Sequence, residues 1–131
     1  MQEDGLRSWL KEVAGLGELR EIKGADSDLE IGGVADVVTQ AGNSPAVLFD
    51  RIKNYPKGYR VLINSLGSTQ RLCLSLGISP DLAPLQFVQE WRKESGGLEP
   101  VPPQVVQDGP VLENIRREKE IDLFLSVPTL V

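Results

Sequence analysis

The stretch NSLGSTQR, Asn64 to Arg71, sets one glycine, three hydroxyl residues and an arginine between an apolar run ending at Ile63 and the apolar-rich LCLSLG. A turn of that kind at a helix start is where a phosphate could be bound, because the first N–H groups of a helix point outward unsatisfied. Diphosphate cradles, however, carry two or three glycines and often a lysine, and this stretch has a single glycine and no lysine. A strand running into a helix capped by Ser68 accounts for the same residues without a ligand. Arg71, Glu90, Arg92 and Glu94 could supply a carboxylate and guanidinium set for acid–base work. All four fall in segments read as helices, where charges form a solvated face with weakly stabilising pairs, so no catalytic role is assigned to them.

The absence of histidine is more decisive. A serine or cysteine nucleophile with imidazole as its base cannot be assembled within this chain, nor can a metal site with a histidine ligand. The single cysteine, Cys73, excludes an internal disulfide and a cysteine-rich metal site. Among leucines in RLCLSLG it reads as a buried reduced thiol. No catalytic, cofactor-binding or metal-ligating residue is assigned anywhere in the chain.

Charge and hydropathy narrow the partners. The net charge is −5, and Lys and Arg concentrate only in RIKNYPKGYR, 51–60, and in the RRE near the end, so a phosphate backbone would bind poorly. The start, MQEDGLRSWLKEVAGLG, lacks a basic region followed by an apolar core. No apolar stretch approaches the roughly 20 residues of a membrane helix. The expectation is a cytoplasmic protein that binds neither nucleic acid nor membrane.

These residues must be positioned by short elements. Leu6, Trp9, Leu10 and Val13 share one face of a helix with Asp4 as a possible cap and Gly15 and Gly17 at its end. ELREIKGA reads as a strand, and DSDLEIGGVADVVTQAG as a helix with Asp28 near its start, Ile31, Val34, Ala35 and Val38 on one face, and Gly42 closing it. Gly32 and Gly33 each cost that helix about 1 kcal/mol, which close packing against a neighbour would justify. PAVLFDRI and YRVLIN are β-prone runs joined by KNYPKG, suited to a hairpin or a tight crossover. Ser68 caps a helix over TQRLCLSLG that ends near Gly77, and a further helix lies within SPDLAPLQFVQEWRKESGG, with Leu85, Val88 and Trp91 on a stripe and Gly96 and Gly97 as its stop.

The carboxy-terminal third reads differently. Prolines 100, 102 and 103 make LEPVPPQVV the best linker candidate. QVVQDGPVLENI then looks like a strand, a turn at Asp108 and Gly109, and a second strand. The last eleven residues, IDLFLSVPTLV, are apolar apart from Asp122, Ser126 and Thr129, as for a segment that enters a neighbouring domain or another chain. Residues 1–99 are expected to form an amino-terminal α+β domain, and 100–131 a linker, strand pair and apolar tail.

The ordered blocks LRSWLKEVAGLGELREI, DLEIGGVADVV, PAVLFDRIK, VLINSLGSTQRLCLSLGI, PPQVVQDGPVLENI and IDLFLSVPT resemble the amino-terminal region of the UbiD family of prenylated-FMN-dependent decarboxylases. The likeness extends over nearly the whole chain. It implies an α+β fold: a small mixed β-sheet flanked by about four helices, with the strand pair leading toward a flavin-binding split barrel absent from this chain. It further implies a parent carboxy-lyase that reversibly decarboxylates an aromatic or α,β-unsaturated acid on prenylated FMN, held with a divalent metal such as manganese and a potassium ion. The family's Glu–Arg–Glu network and its histidine-containing metal site lie beyond the matched region, in accord with a chain that has no histidine. The partner implied is the remainder of the decarboxylase or a separate catalytic subunit, in a homo- or hetero-oligomer, with no cofactor bound by this chain alone. A second reading is a non-catalytic interaction subunit that docks on a larger protein through its apolar tail.

Overall fold

The computed structural model describes residues 5–42 and 44–126; the expected Asp4 cap and tail positions 127–131 lie outside them. Three strands form the sheet in the order β1 (Leu19–Lys23), β2 (Ala46–Asp50), β3 (Val61–Ile63). β1 and β2 are parallel, with Leu19 opposite Ala46 and Lys23 opposite Asp50. β3 runs antiparallel to β2, so the 51–60 connection is the hairpin alternative. The parallel pair needs a crossover, supplied by α2 (Glu30–Gln40).

β2 is central, and its four apolar residues Ala46 to Phe49 are all buried. A continuous apolar run, rather than an alternating one, is what a strand covered on both faces requires. Val47 and Phe49 point to the α2 side, where they meet Ala25, Ile31 and Ile52, with Ile22, Val34, Val38 and Tyr55 packed around them. Ala46 and Leu48 point the other way by the two-residue alternation of a strand. On α1 (Leu6–Gly15), Leu10 and Val13 are buried, Trp9 is half-buried and Leu6 is exposed. α1 contacts both β1 and α3 (Thr69–Ser75). Trp9 Nε1 donates to Ser75 Oγ at 3.0 Å, and Ser75 Oγ donates to the Arg71 carbonyl at 2.8 Å, which ties the two helices together.

The helix ends follow from capping chemistry. α1 and α3 each close with a glycine in the left-handed region, Gly17 at φ +74 and Gly77 at φ +70. In both, the following residue donates back over five positions, Glu18 N to Val13 O and Ile78 N to Cys73 O, the bonding of a Schellman cap. α1 begins at Gly5, where the Ser8 hydroxyl accepts from Gly5 N and donates to Gly5 O. α2 starts later than its periodicity suggests, at Glu30, because Asp26 and Asp28 form a turn: Asp28 N donates to Asp26 Oδ1, and Asp26 N to Glu30 Oε2.

Three expectations are corrected. The strand pair over 104–115 does not form: 101–106 has no regular structure, and Pro110–Leu112 makes one 3₁₀ turn. The prolines supply no ladder donors, and the sheet closes with the three strands already named. The described residues after that turn add a 3₁₀ turn at Glu118–Glu120 and a single helical turn, α5 (Leu123–Ser126). On α4 (Pro84–Ser95), Leu85 and Val88 are exposed and the half-buried apolar residues are Phe87 and Trp91, because α4 packs beside α3 rather than on the sheet. Gly33 has no close neighbour, since a Cβ placed there would meet nothing within 4 Å.

Candidate functional site

The polar groups that converge in this domain do so around the NSLGSTQR turn, at the amino-terminal ends of the two parallel strands. Arg71 is the one buried charged residue among those described, with its side chain 1% exposed. Its Nη1 donates to Glu18 Oε2 at 2.6 Å and its Nη2 to the Ser44 carbonyl at 2.9 Å. Ser68 caps α3 as expected: its Oγ accepts from Arg71 N at 3.2 Å, and also donates to Glu18 Oε2 at 2.5 Å. Arg71 thus departs from the expected solvated face. A seven-residue helix held between α1 and α4 has little surface to spare, and its lone charged residue points inward to a carboxylate 53 positions earlier.

Asn64 completes the arrangement. It holds φ +53 at the end of β3, and its Nδ2 lies 3.0–3.1 Å from Pro45 O, Ser44 O and Ser44 Oγ. Ser44 Oγ in turn donates to Val38 O. The Asn64 side chain lies so close over Gly67 that a Cβ there would fall 1.9 Å from Asn64 Oδ1. The glycine is therefore required by a neighbouring amide, and the structural reading of the turn holds.

Glu18, Ser44, Asn64, Ser68 and Arg71 fasten the starts of β1 and β2, the end of β3 and the start of α3 at one place. A buried ion pair of this kind is costly to break, because the surviving charge stays desolvated. Arg71 Nε is buried and meets no acceptor among the described residues.

This cluster does not fit the flavin and metal that the family resemblance implies. The guanidinium that would meet a phosphate or carboxylate is enclosed and already holds Glu18. The Ser68 hydroxyl is committed on both sides, and the space above Gly67 is filled by Asn64. Among the described residues no three Cys, Asp or Glu side chains group as metal ligands. Glu90 pairs with Lys93 at 3.1 Å, while Arg92 and Glu94 are exposed on α4; none of them joins Arg71. The Glu90 contact, followed by Glu94, holds the Lys93 amine above its ordinary value. Cys73 is fully buried, as expected, and desolvation pushes its thiol up.

Two grooves on the surface of the described residues stand apart from this cluster. One of about 680 Å³ runs between α1, the β3–α3 turn and α3, lined by Leu6, Trp9, Leu62, Leu66 and Leu74. The other, of about 580 Å³, lies between α2 and the carboxy-terminal ends of β1 and β2. Ser8, Glu12, Ser65 and Ser75 also line the first groove, but the Ser8 and Ser75 hydroxyls are already bonded within the chain, and the charged residues lining the second are Lys23 and Glu30. No helix among the described residues is long and apolar enough to cross a membrane.

The missed residue was Glu18. Its partner is distant in sequence, and the available signal was one arginine as the lone charged residue of a short helix.

A three-stranded mixed sheet with four main helices, held by an internal polar lock, is a domain of α+β class. The family model described as the 3-octaprenyl-4-hydroxybenzoate carboxy-lyase N-terminal domain matches residues 10–91, more than half of the chain. The chain belongs to that UbiD family. Phenolic acid decarboxylase from Streptomyces sp. (strain D7) is 29% identical over 132 residues, covering 98% of this chain and 27% of the relative. Phenolic acid decarboxylase from Sedimentibacter hydroxybenzoicus is 32% identical over 128 residues, covering 94% and 26%. The vanillic acid decarboxylase of the same organism, solved in closed form, superposes with a TM-score of 0.77 at 30% identity, over 98% of this chain and 27% of that one. Its open form with truncated ShVdcD gives 0.74 over 95% and 26%. The chain spans about a quarter of the length of these relatives.

Proposed function

We propose that this chain is the amino-terminal domain, or a separate subunit equivalent to it, of a carboxy-lyase that reversibly decarboxylates an aromatic or α,β-unsaturated acid on prenylated FMN. In this reading the flavin, the divalent metal, the potassium ion and the acid–base groups belong to the portion of the relatives that the chain does not span. When bound there, the flavin supplies the electron sink for the carboxylate-bearing carbon. This chain's residues supply a rigid wall: the Arg71 lock fixes one end of the sheet, and the domain shapes a side of the substrate cleft and moves as a body during turnover. Residues 1–99 act as the domain proper and 100–131 as the arm toward the cofactor portion.

The observation that carries the reading is the superposition of nearly the whole chain on the closed vanillic acid decarboxylase at 30% identity. That relative is named with a second component, ShVdcD, which supports assembly with a partner subunit; a cytoplasmic location belongs to the same proposal. The test compares the 131-residue chain by itself with the whole native product, as one long chain or as the complex with its partner subunit, each given prenylated FMN, manganese and potassium and a panel of aromatic acids. Carbon dioxide release is expected from the native product and not from the 131-residue chain. Turnover by the chain alone would overturn the placement of the catalytic centre, and a flavin-free native product with no decarboxylation would overturn the family activity.

A further inference from the structure

We infer that the end of the sheet opposite the Arg71 lock, formed by the α2 groove and the 51–60 loop, is the surface on which the cofactor-carrying portion of the decarboxylase docks. This rests on the proposed function and adds which face is used and what chemistry it meets: an apolar patch rimmed by carboxylates.

Four observations meet there. The carboxy-terminal ends of β1 and β2 are stitched to the loop by Gly24 N to Asp50 O and Lys53 N to Ala25 O, so the groove and the loop form one continuous surface. The groove wall is apolar, with Leu29 71% and Val37 68% exposed beside Val34 and Phe49. Within this chain the patch is locally unfavourable. Leu29 holds φ +65, a conformation strained for any side chain-bearing residue, and Gly33 weakens α2 with no neighbour to justify it. A docked segment would justify both, because a glycine lets another backbone approach closely and a projecting leucine supplies an apolar anchor.

The groove's own lining holds one cation and one carboxylate, Lys23 and Glu30, and the loop that adjoins it is cationic. The 51–60 loop carries Arg51, Lys53, Lys57 and Arg60 and no acid, in a chain of net charge −5. Lys53 pairs with Asp26 and Glu30. Arg51, Lys57 and Arg60 are exposed and make no ion pair among the described residues. Cations without an ion pair on the loop beside the groove select a surface of the opposite sign.

The outgoing arm is fastened at the same place. After a largely exposed course from Leu98 onward, it returns so that the Phe124 carbonyl accepts from the Tyr55 hydroxyl at 2.5 Å, with Tyr59 against the Tyr55 ring at 5.8 Å. The relatives are nearly four times as long, and in a chain extended as theirs are, this contact would deliver the following portion to this end of the sheet.

The experiment uses the full native protein with a photoreactive benzoylphenylalanine replacing Val37 or, separately, the exposed Leu85 on α4. Cross-linked peptides are mapped by mass spectrometry. The Val37 probe is expected to join the cofactor-carrying portion, and its yield is expected to fall about threefold or more in an Arg51→Glu, Lys57→Glu background, as loss of loop charge weakens docking. Capture of that portion from Leu85 but not Val37, or Val37 cross-linked to a second copy of this domain, would overturn the inference. Flavin content and decarboxylation measured on the same preparations report separately on the proposed function, which survives either result if both are normal.

Discussion

Replacing Glu18 by alanine should destabilise this domain far more than removing its partner. In the native arrangement the Arg71 guanidinium is 1% exposed and the Glu18 side chain 22%. Glu18→Ala leaves a cation enclosed with Nη1 joining Nε as a donor without an acceptor, a loss of about 3–5 kcal/mol for a buried pair broken on one side. Arg71→Met keeps an aliphatic stem of similar reach and leaves behind a carboxylate that water reaches. Its cost is the bonds to Glu18 and Ser44, about 1–2 kcal/mol. Unfolding the 131-residue chain in urea, followed by tryptophan fluorescence, reads both. With a slope of about 1–3 kcal/mol/M, Glu18→Ala should lower the midpoint by about 1–3 M and Arg71→Met by under about 1 M. The double variant should recover part of the Glu18→Ala loss, because the stranded cation is gone. If Glu18→Ala cost less than about 1 kcal/mol, the value of an exposed pair, or if Arg71→Met proved the worse of the two, the reasoning from burial would be refuted.

Two further outcomes follow from the same region. Gly67→Ala, which places a Cβ 1.9 Å from Asn64 Oδ1, should displace the Asn64 amide and lose about 1–3 kcal/mol; Asn64→Gly in the same background should return part of it, and equal losses with and without Asn64 would sink this account. Cys73 should resist alkylation in the folded chain at pH 8 and react once urea unfolds it. Because burial raises its folded value above the unfolded one, its contribution to stability is complete below the ordinary thiol value and is lost as pH rises through the folded one. A Cys73→Ala variant should lack that alkaline decline in the urea midpoint, and an identical decline in both proteins would count against the buried thiol as its source.

Much of the layout was legible from local signals. The 3.6-residue spacing of Leu10 and Val13, the unbroken apolar run at Ala46 to Phe49 and the serine at position 68 all act within a few residues, and each appears in its expected element. The errors came where a partner decides. The 104–115 segment has a hairpin's turn signal between apolar residues, yet 101–106 runs without regular structure and Pro110–Leu112 makes a 3₁₀ turn. Leu85 and Val88 keep helical spacing but face outward, since α4 rests beside α3. Periodicity tells which residues share a face and is silent on what covers that face.

By itself the sequence determined the chemistry that this chain cannot perform. With no histidine and one cysteine, the usual nucleophile–base pairs and histidine metal sites were excluded before any coordinate. Its ordered blocks also carried the family, because they are short local patterns repeated at characteristic separations. The tertiary structure alone decided the fate of Arg71. Burial depends on which segments meet, and the partner 53 residues away turned a residue of surface type into the centre of the lock. It also decided that one end of the sheet is sealed by its own side chains while the other carries bare leucine, valine and cations, a difference created by folding and invisible in the order of residues.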